Sequence, residues 1–512
     1  MNKKILFFIA AALLIAAITG VIIKISTGRG TDDEGEEFLP AVEQIDVKDL
    51  EDAKLTIYIE GERSNALTEV LDAINSKLRD ELKTELAFEL VWEYPENYLN
   101  TVIKAVSSGL PCDAFYFSSY FPITLKELAA EGLAKDITDL FPQYAPNYFS
   151  KFSKEDIDAI DINGKIYAIP SRIPNTSRKC VLVRSDIMGK YNLPEIKSYS
   201  DYELYLEAVK KNEPDLIPMI YWDTTLGLFS EVNGYATMDY EIGLVYKWNS
   251  PSIKLEAWEQ TDGFADGLNR IKNWRDKGYL TKNVGIASID EQIIKSGKWA
   301  SFIGRWGNQF DYNAILTANG IQDYKYEAYQ LHEGVSERNS PLENGLLVND
   351  KSALADRVLM FIEWLQSKQE NYDMLMYGIK GTHYIEMKDY ITPPEDVKME
   401  NSFFSWGWKA PFRNMDYERV NYPGLKEQIK NYNDVINNKT KYPPHMGFFP
   451  NYSEMNGIIS RRMAFSELDR KIYTGSFEDS DIGEYIKEQK ESGIDNIVLQ
   501  VQQQLDEYLK EK

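Results

Sequence analysis

Lys54-Leu55-Thr56-Ile57-Tyr58-Ile59 has the composition of a β-strand. Leu67, Val70, Leu71, Ile74 and Leu78 then recur at spacings of 3 and 4, the helical period, and Ser64 or Asn65 is placed to cap that helix. Leu86, Phe88, Leu90 and Trp92 alternate as a strand does. Leu99, Val102, Ile103 and Val106 return to helical spacing, and Asp113-Ala114-Phe115-Tyr116-Phe117 is a third strand. The order β-α-β-α-β predicts a doubly wound α/β sheet with parallel strands. A second such unit starts near residue 180. Val181–Val183 is a short strand, Tyr202, Leu206 and Val209 lie on a helix, and Leu216–Trp222 is strand-like. Phe264, Leu268, Ile271 and Trp274 mark a further helix before the strand Trp299–Ile303. Helical stripes recur near 352–369 and, at the end, over Ile494, Ile497, Val498, Val501, Leu505 and Leu509.

One apolar stretch follows neither period. Ile5–Ile23 carries no charge and comes directly after Lys3 and Lys4. As a helix it would rise about 28 Å, close to the hydrocarbon thickness of a bilayer. It lacks a clean small-x-small cleavage site, because Ile22, Ile23 and Lys24 end it, so residues 1–26 read as a signal-anchor, with a cleaved signal peptide as the alternative. Val21 stands where a lipid-modified cysteine would follow Ala17-Ile18-Thr19-Gly20. Residues 27–53, with Asp32, Asp33, Glu34, Glu36 and Glu37 among glycines, form an acidic linker with a reach of roughly 28 Å.

The residues beyond 53 are too many for a single core and predict two lobes. With 80 acidic against 57 basic residues the formal charge is −23, which repels nucleic acid and anionic lipid and leaves neither as a partner. The 33 Tyr, 22 Phe and 10 Trp suit a large core and leave some Tyr and Trp to line a groove, where flat aromatic faces suit the C–H faces of sugars. Two cysteines, Cys112 and Cys180, exclude a disulfide scaffold while leaving one bridge open.

Motifs for chemistry are absent from the sequence. No nucleophile elbow, phosphate loop or dinucleotide fingerprint occurs, and no cofactor is expected. His332, His383 and His445 are far apart. Asp156, Asp158, Asp161 and Asn163-Gly164 are oxygen-rich, but their spacing does not fit a calcium-binding loop, and alternation with Ile157, Ile160 and Ile162 reads as an edge segment, so no metal is assigned. Ligands of open α/β sheets lie at the carboxyl ends of strands. That rule selects Glu62 and Arg63, Ser119 and Tyr120, Tyr221 and Trp222, and Arg305 and Trp306, facing one another across a cleft between lobes. Trp406 and Trp408 flank Gly407 in an aromatic loop and join the candidates. Arg305 has the forked geometry that would grip a uronate carboxylate.

Several segments carry a resemblance. Asn163-Gly164-Lys165-Ile166-Tyr167-Ala168-Ile169-Pro170 resembles the first inter-lobe crossover of extracellular solute-binding proteins of the maltose-binding type (family 1). Ile57–Arg63 resembles that family's first strand and ligand loop, Gly109-Leu110-Pro111-Cys112-Asp113 the step before its third strand, and Gly297–Trp306 the segment ending in a sugar-stacking tryptophan. Arg184–Ile187, Lys190–Pro194, Asn371-Tyr372 with Tyr377–Tyr384, and Ser492–Asp495 are similar to the LipO/LplA-type subgroup with its extra C-terminal region. The chain departs from that subgroup at Val21, at Lys380 where a glutamate is usual, and at Gly447–Asn451 where an aspartate-bearing step is usual.

The resemblance implies a two-lobed periplasmic-binding-protein-like fold (type 2) with a helical C-terminal extension. Lobe 1 would hold residues 54–168 with 336–376, and lobe 2 residues 169–335 with 377–512. Two crossovers, near Ile169–Ser171 and 335–377, would form the hinge. Arg172 and Asn175, just after the first crossover, become candidate ligand contacts. The implied function is non-catalytic: capture of an oligosaccharide, with uronates among the candidates, and its delivery to the permease subunits of an ABC transporter by a monomer at the extracytoplasmic membrane face. A carbohydrate-active hydrolase or lyase and a membrane-tethered sugar sensor are the alternatives.

Overall fold

The computed structural model describes residues 47–512 apart from 93–94, 122, 221–223, 240–241, 249, 281–290, 389, 396, 398–402, 404–406, 421–424, 465 and 512. The apolar run Ile5–Ile23 and most of the acidic linker therefore lie outside the described residues, as do Tyr221, Trp222 and Trp406. Among the described residues no helix is long and apolar enough to cross a membrane.

The first lobe is built on a five-stranded sheet in the order Thr84–Val91, Ala53–Glu60, Ala114–Phe117, Gly345–Val348, Ile169–Pro170. The first three strands are parallel, with Ile57 beside both Phe88 and Ala114. Gly345–Val348 returns from far along the chain and runs antiparallel to both of its neighbours. Leu55 to Ile59 are buried on both faces, as expected of a strand between two helical layers. The helix Leu67–Leu82 supplies part of that cover through Leu67, Val70, Ile74 and Leu78. Its N-cap is Ala66, without a side-chain bond, rather than Ser64 or Asn65.

The second lobe differs from the doubly wound parallel sheet expected. Lys179–Arg184 is its central strand, and both Ser301–Arg305 and Tyr326–Tyr329 run antiparallel to it. The segment after residue 216 adds single parallel bridges, Ile217 to Trp299 and Met219 to Leu280. Apolar periodicity reports which face is buried, not the direction of the neighbour, so it could not distinguish the two cases. Behind this sheet the helices Tyr199–Asn212 and Asp262–Asp276 enclose Trp274, whose ring meets Tyr202 edge-on at 5.7 Å. A third module pairs the meander Tyr235–Asp239, Leu244–Lys247 and Leu255–Ala257 with the C-terminal helix Ile494–Glu511, whose Ile494, Ile497, Val501 and Leu505 are fully buried.

The lobe boundary also moves. Tyr377, Tyr384, Ile391, Phe403, Trp408 and Phe412 pack into the first lobe's core, although residues from 377 onward were expected in the second. The chain returns to the second lobe only afterwards, where Tyr432 meets Phe310 at 5.5 Å. The third passage between lobes thus comes after Phe412 and not at residue 377, and the passages are tied together. Thr176 bridges Arg338, Arg172 bridges Asn414, and Ser336–Glu337 pairs with Thr440–Lys441.

Cys112 and Cys180 are free, and each is buried in a different core, so the bridge left open by the sequence does not form. Burial pushes the Cys112 thiol up to about 12. The segment Asp156–Gly164 is no edge strand. Ser153 caps the short helix Lys154–Asp158, and Asn163 and Gly164 then turn with φ of 57° and 79°.

Candidate functional site

The first strand ends at Gly61, whose φ of 150° and lack of a side chain both matter. A Cβ there would lie 2.5 Å from the Cβ of Trp408. Beyond it Glu62 and Arg63 are exposed, and Arg63 donates to Thr68 Oγ1 at 2.9 Å, in the first turn of the helix Leu67–Leu82. Trp408, expected to offer its face to a ligand, is instead 3% exposed. Its ring lies 5.1 Å from Phe88 and 6.2 Å from Phe403, and so has no open face. Next to it Lys409 is 1% exposed, donates to the carbonyls of Met376 (2.8 Å) and Phe403, and sits 3.7 Å from the Phe403 ring centroid. Burial pulls its ammonium well below the usual lysine range.

Other candidates do converge. After the strand Ala114–Phe117, Ser118 Oγ donates to the Glu343 carbonyl at 2.7 Å and accepts from the Tyr120 amide, while the Ser119 amide donates to the Leu342 carbonyl at 2.8 Å. This turn presents Tyr120, which is 63% exposed. Its hydroxyl donates to the Glu343 carboxylate, and the Arg305 charge acts on it from the second lobe. Burial of the hydroxyl end and the Glu343 charge push the phenol upward. Asn339 donates to the same carboxylate at 2.6 Å. The Asn339 amide in turn donates to the Asn175 carbonyl at 3.0 Å, and Asn175 Oδ1 accepts from the Tyr432 hydroxyl at 2.9 Å. Tyr120 from the first lobe, Arg305 from the second, and Asn175, Asn339 and Glu343 from two crossovers thus meet in one polar cluster. Asn339 and Glu343 escaped the sequence reading. Their signal was the Ser340-Pro341 turn between them, which marks an irregular segment without saying that it returns to the cleft.

Arg172 is engaged elsewhere, paired with Asp416 while its amide donates to the Arg413 carbonyl at 2.9 Å. It holds two crossovers together. Fully buried Arg178 does similar work, donating to the carbonyls of Gly334 (2.5 Å) and His332 (2.7 Å) and to Ser336 Oγ (2.8 Å). Trp306 follows Arg305 and is half-buried, its amide donating to the Arg178 carbonyl at 2.8 Å. Its indole Nε1 is buried without a hydrogen-bond partner, a donor removed from water and left unsatisfied.

The cluster opens onto a cavity of about 680 Å³ between the first lobe, the second crossover and the C-terminal module. Ser119, Tyr120, Asn339 and Glu343 form one wall, and Met238, Met446, Phe448 and Phe449 contribute an apolar one. Glu337 lines the cavity too and accepts from the Tyr246 hydroxyl at 2.8 Å, and burial pushes its carboxyl up to about 8.

No family model matches the chain. It is 24% identical to the polygalacturonan/rhamnogalacturonan-binding protein YtcQ of Bacillus subtilis over 273 residues, 50% of this chain and 53% of that protein. The chain thus spans about half the length of that relative. It is 21% identical over 395 residues to a carbohydrate ABC transporter substrate-binding protein of Streptococcus pneumoniae, covering 75% of this chain and 78% of the other. The crystal structure of the N-glycan transport solute-binding protein NgtS from Streptococcus pneumoniae superposes with a TM-score of 0.70 at 17% identity, covering 90% of this chain and 99% of that one. The α/β fold is that of solute-binding proteins. The second of these relatives is named for carbohydrate ABC transport, and the likeness to NgtS is one of fold.

Proposed function

We propose that this solute-binding protein captures an oligosaccharide between its lobes and delivers it to the permease of an ABC transporter. It would act as an extracytoplasmic monomer held at the membrane by residues 5–23, within the LipO/LplA-type subgroup that its motifs resemble. The observation that carries the reading is the cluster of Tyr120, Arg305, Asn339 and Glu343, drawn from both lobes and a crossover and opening onto the 680 Å³ cavity. An oligosaccharide needs hydroxyl partners of both senses together with apolar surface for its C–H faces. The cluster offers amide, phenol and carboxylate groups, and the cavity offers methionine and phenylalanine. A uronate would look to Arg305, whose charge already acts on the Tyr120 hydroxyl.

Calorimetric titration with a panel of defined oligosaccharides tests this, combined with small-angle scattering. A cognate saccharide should bind and reduce the radius of gyration, as hinge closure does in binding proteins. Absence of binding across neutral and acidic glycans would remove the reading, and binding at an unchanged radius would remove the closing cleft.

A further inference from the structure

The ligand's charge is written in the cavity wall. Five carboxyl groups line it, those of Asp158, Asp161, Asp239, Glu337 and Glu343, against two cations, Lys126 and Arg338. Arg338 faces the hinge, with Nε donating to Thr440 Oγ1 at 3.2 Å, Nη2 to the Ile436 carbonyl at 3.1 Å, and its guanidinium 5.2 Å from the Tyr442 ring centroid. Of the acids, Asp158 is paired with Lys154 at 2.6 Å. The others are held by neutral donors: Asp161 by the Gly164 amide at 2.8 Å, Asp239 by the Ile242 amide at 2.9 Å and the Tyr452 hydroxyl at 2.5 Å, Glu337 by the Tyr246 hydroxyl at 2.8 Å, and Glu343 by Asn339 and Tyr120. With Glu337 held neutral by burial, four carboxylates face two cations in the lining; Lys154 offsets Asp158, and Arg305, outside the lining, acts on the Tyr120 hydroxyl that donates to Glu343.

We infer that this cavity receives saccharide units without a negative charge, and that Asp239 and Glu343 exclude uronates from it. The inference rests on the saccharide-binding reading above. A sugar hydroxyl donating to either carboxylate forms a charge-assisted bond, stronger than one between neutral groups. A uronate brings one negative charge per unit, and like charges brought together across an interface are a standard means of rejecting a partner. Phe448 and Phe449, also in the lining, suit an uncharged ring face. The neutral form that burial favours at Glu337 adds a donor without adding a cation. The chain would then part from YtcQ, named for a polyuronide, while keeping its fold.

The test is calorimetry on the purified full chain with a high-mannose glycan, a fructo-oligosaccharide and an oligogalacturonate, each at low and physiological salt. An uncharged glycan should bind at least about 10-fold more tightly than the oligogalacturonate, with the gap shrinking as salt rises. The isosteric Asp239→Asn/Glu343→Gln variant, checked by its melting curve, should narrow the gap. Oligogalacturonate binding as tightly as the uncharged glycans overturns the inference and leaves the saccharide reading standing. An unchanged gap in the folded double variant overturns the assignment to these two carboxylates. Failure of every glycan to bind overturns both.

Discussion

Arg305-Trp306 and Trp408-Lys409 are the same pair of residue types, a cation beside a tryptophan in an aromatic stretch, and the structure gives them opposite fates. Trp408 is packed among Phe88 and Phe403 over Gly61, and Lys409 is sealed behind it against two backbone carbonyls. Trp306 is half-buried with an unsatisfied indole N–H, and Arg305 is exposed at a strand end, in reach of the opposite lobe. One pair closes a core and the other borders the inter-lobe cluster. The difference lies in what arrives from elsewhere in the chain: a glycine that lets a backbone press close, or a tyrosine hydroxyl that leaves room beside it.

The largest expected effect breaks the core pair. Trp408→Ala removes a buried indole that Phe88, Phe403 and Gly61 surround, and should cost ~3–5 kcal/mol of stability, read as a sharp drop in the melting temperature of the ligand-free protein. A melting curve close to that of the parent would mean that Trp408 is not part of the core.

Buried charge sharpens the same contrast. Lys409 is enclosed by the first lobe's core, whereas Glu337 is enclosed by the cavity wall. The Glu337 carboxyl titrates at about 8 when folded, against 4.5 ordinarily. Between those values the folded chain binds more protons than the unfolded one, so this group's stabilisation is whole below about pH 4.5 and is lost as pH rises through about 8. Glu337→Gln should remove that decline. Relative to the parent, it should gain a few kcal/mol on going from about pH 5 to pH 8.5, measured by denaturant titration at both values. Parallel pH profiles for the two proteins would show that Glu337 is ionised in the fold.

The smallest effect on stability, and the most telling for function, falls on the other tryptophan. If roughly 60–100 Å² of ring and sugar surface is lost, Trp306→Ala should weaken saccharide binding by about 1.5–2.5 kcal/mol, roughly 10- to 70-fold, while melting well above Trp408→Ala. Trp306→Phe should recover part of the affinity. Normal affinity in a folded Trp306→Ala protein would take Trp306 out of the site.

Local order was legible in the chain to a useful depth. The strands Ala53–Glu60 and Thr84–Val91 and the helices Leu67–Leu82, Asp262–Asp276 and Ile494–Glu511 lie where periodicity puts them, because burying one face of an element imprints its period on the sequence. The likeness to solute-binding proteins was legible as well, since several short segments retain it in order. The strand-end rule also selected Ser119, Tyr120 and Arg305. Tertiary structure alone decided the antiparallel partners of Lys179–Arg184, the place of the third inter-lobe crossing after Phe412, the recruitment of Asn339 and Glu343, and which tryptophan is core. Each of these depends on partners far apart along the chain: Gly61 against Trp408, Tyr120 against Arg305, Glu343 against Ser118. Periodicity records only how exposed a position is relative to its neighbours, whereas the identity and direction of a long-range partner emerge when the elements pack.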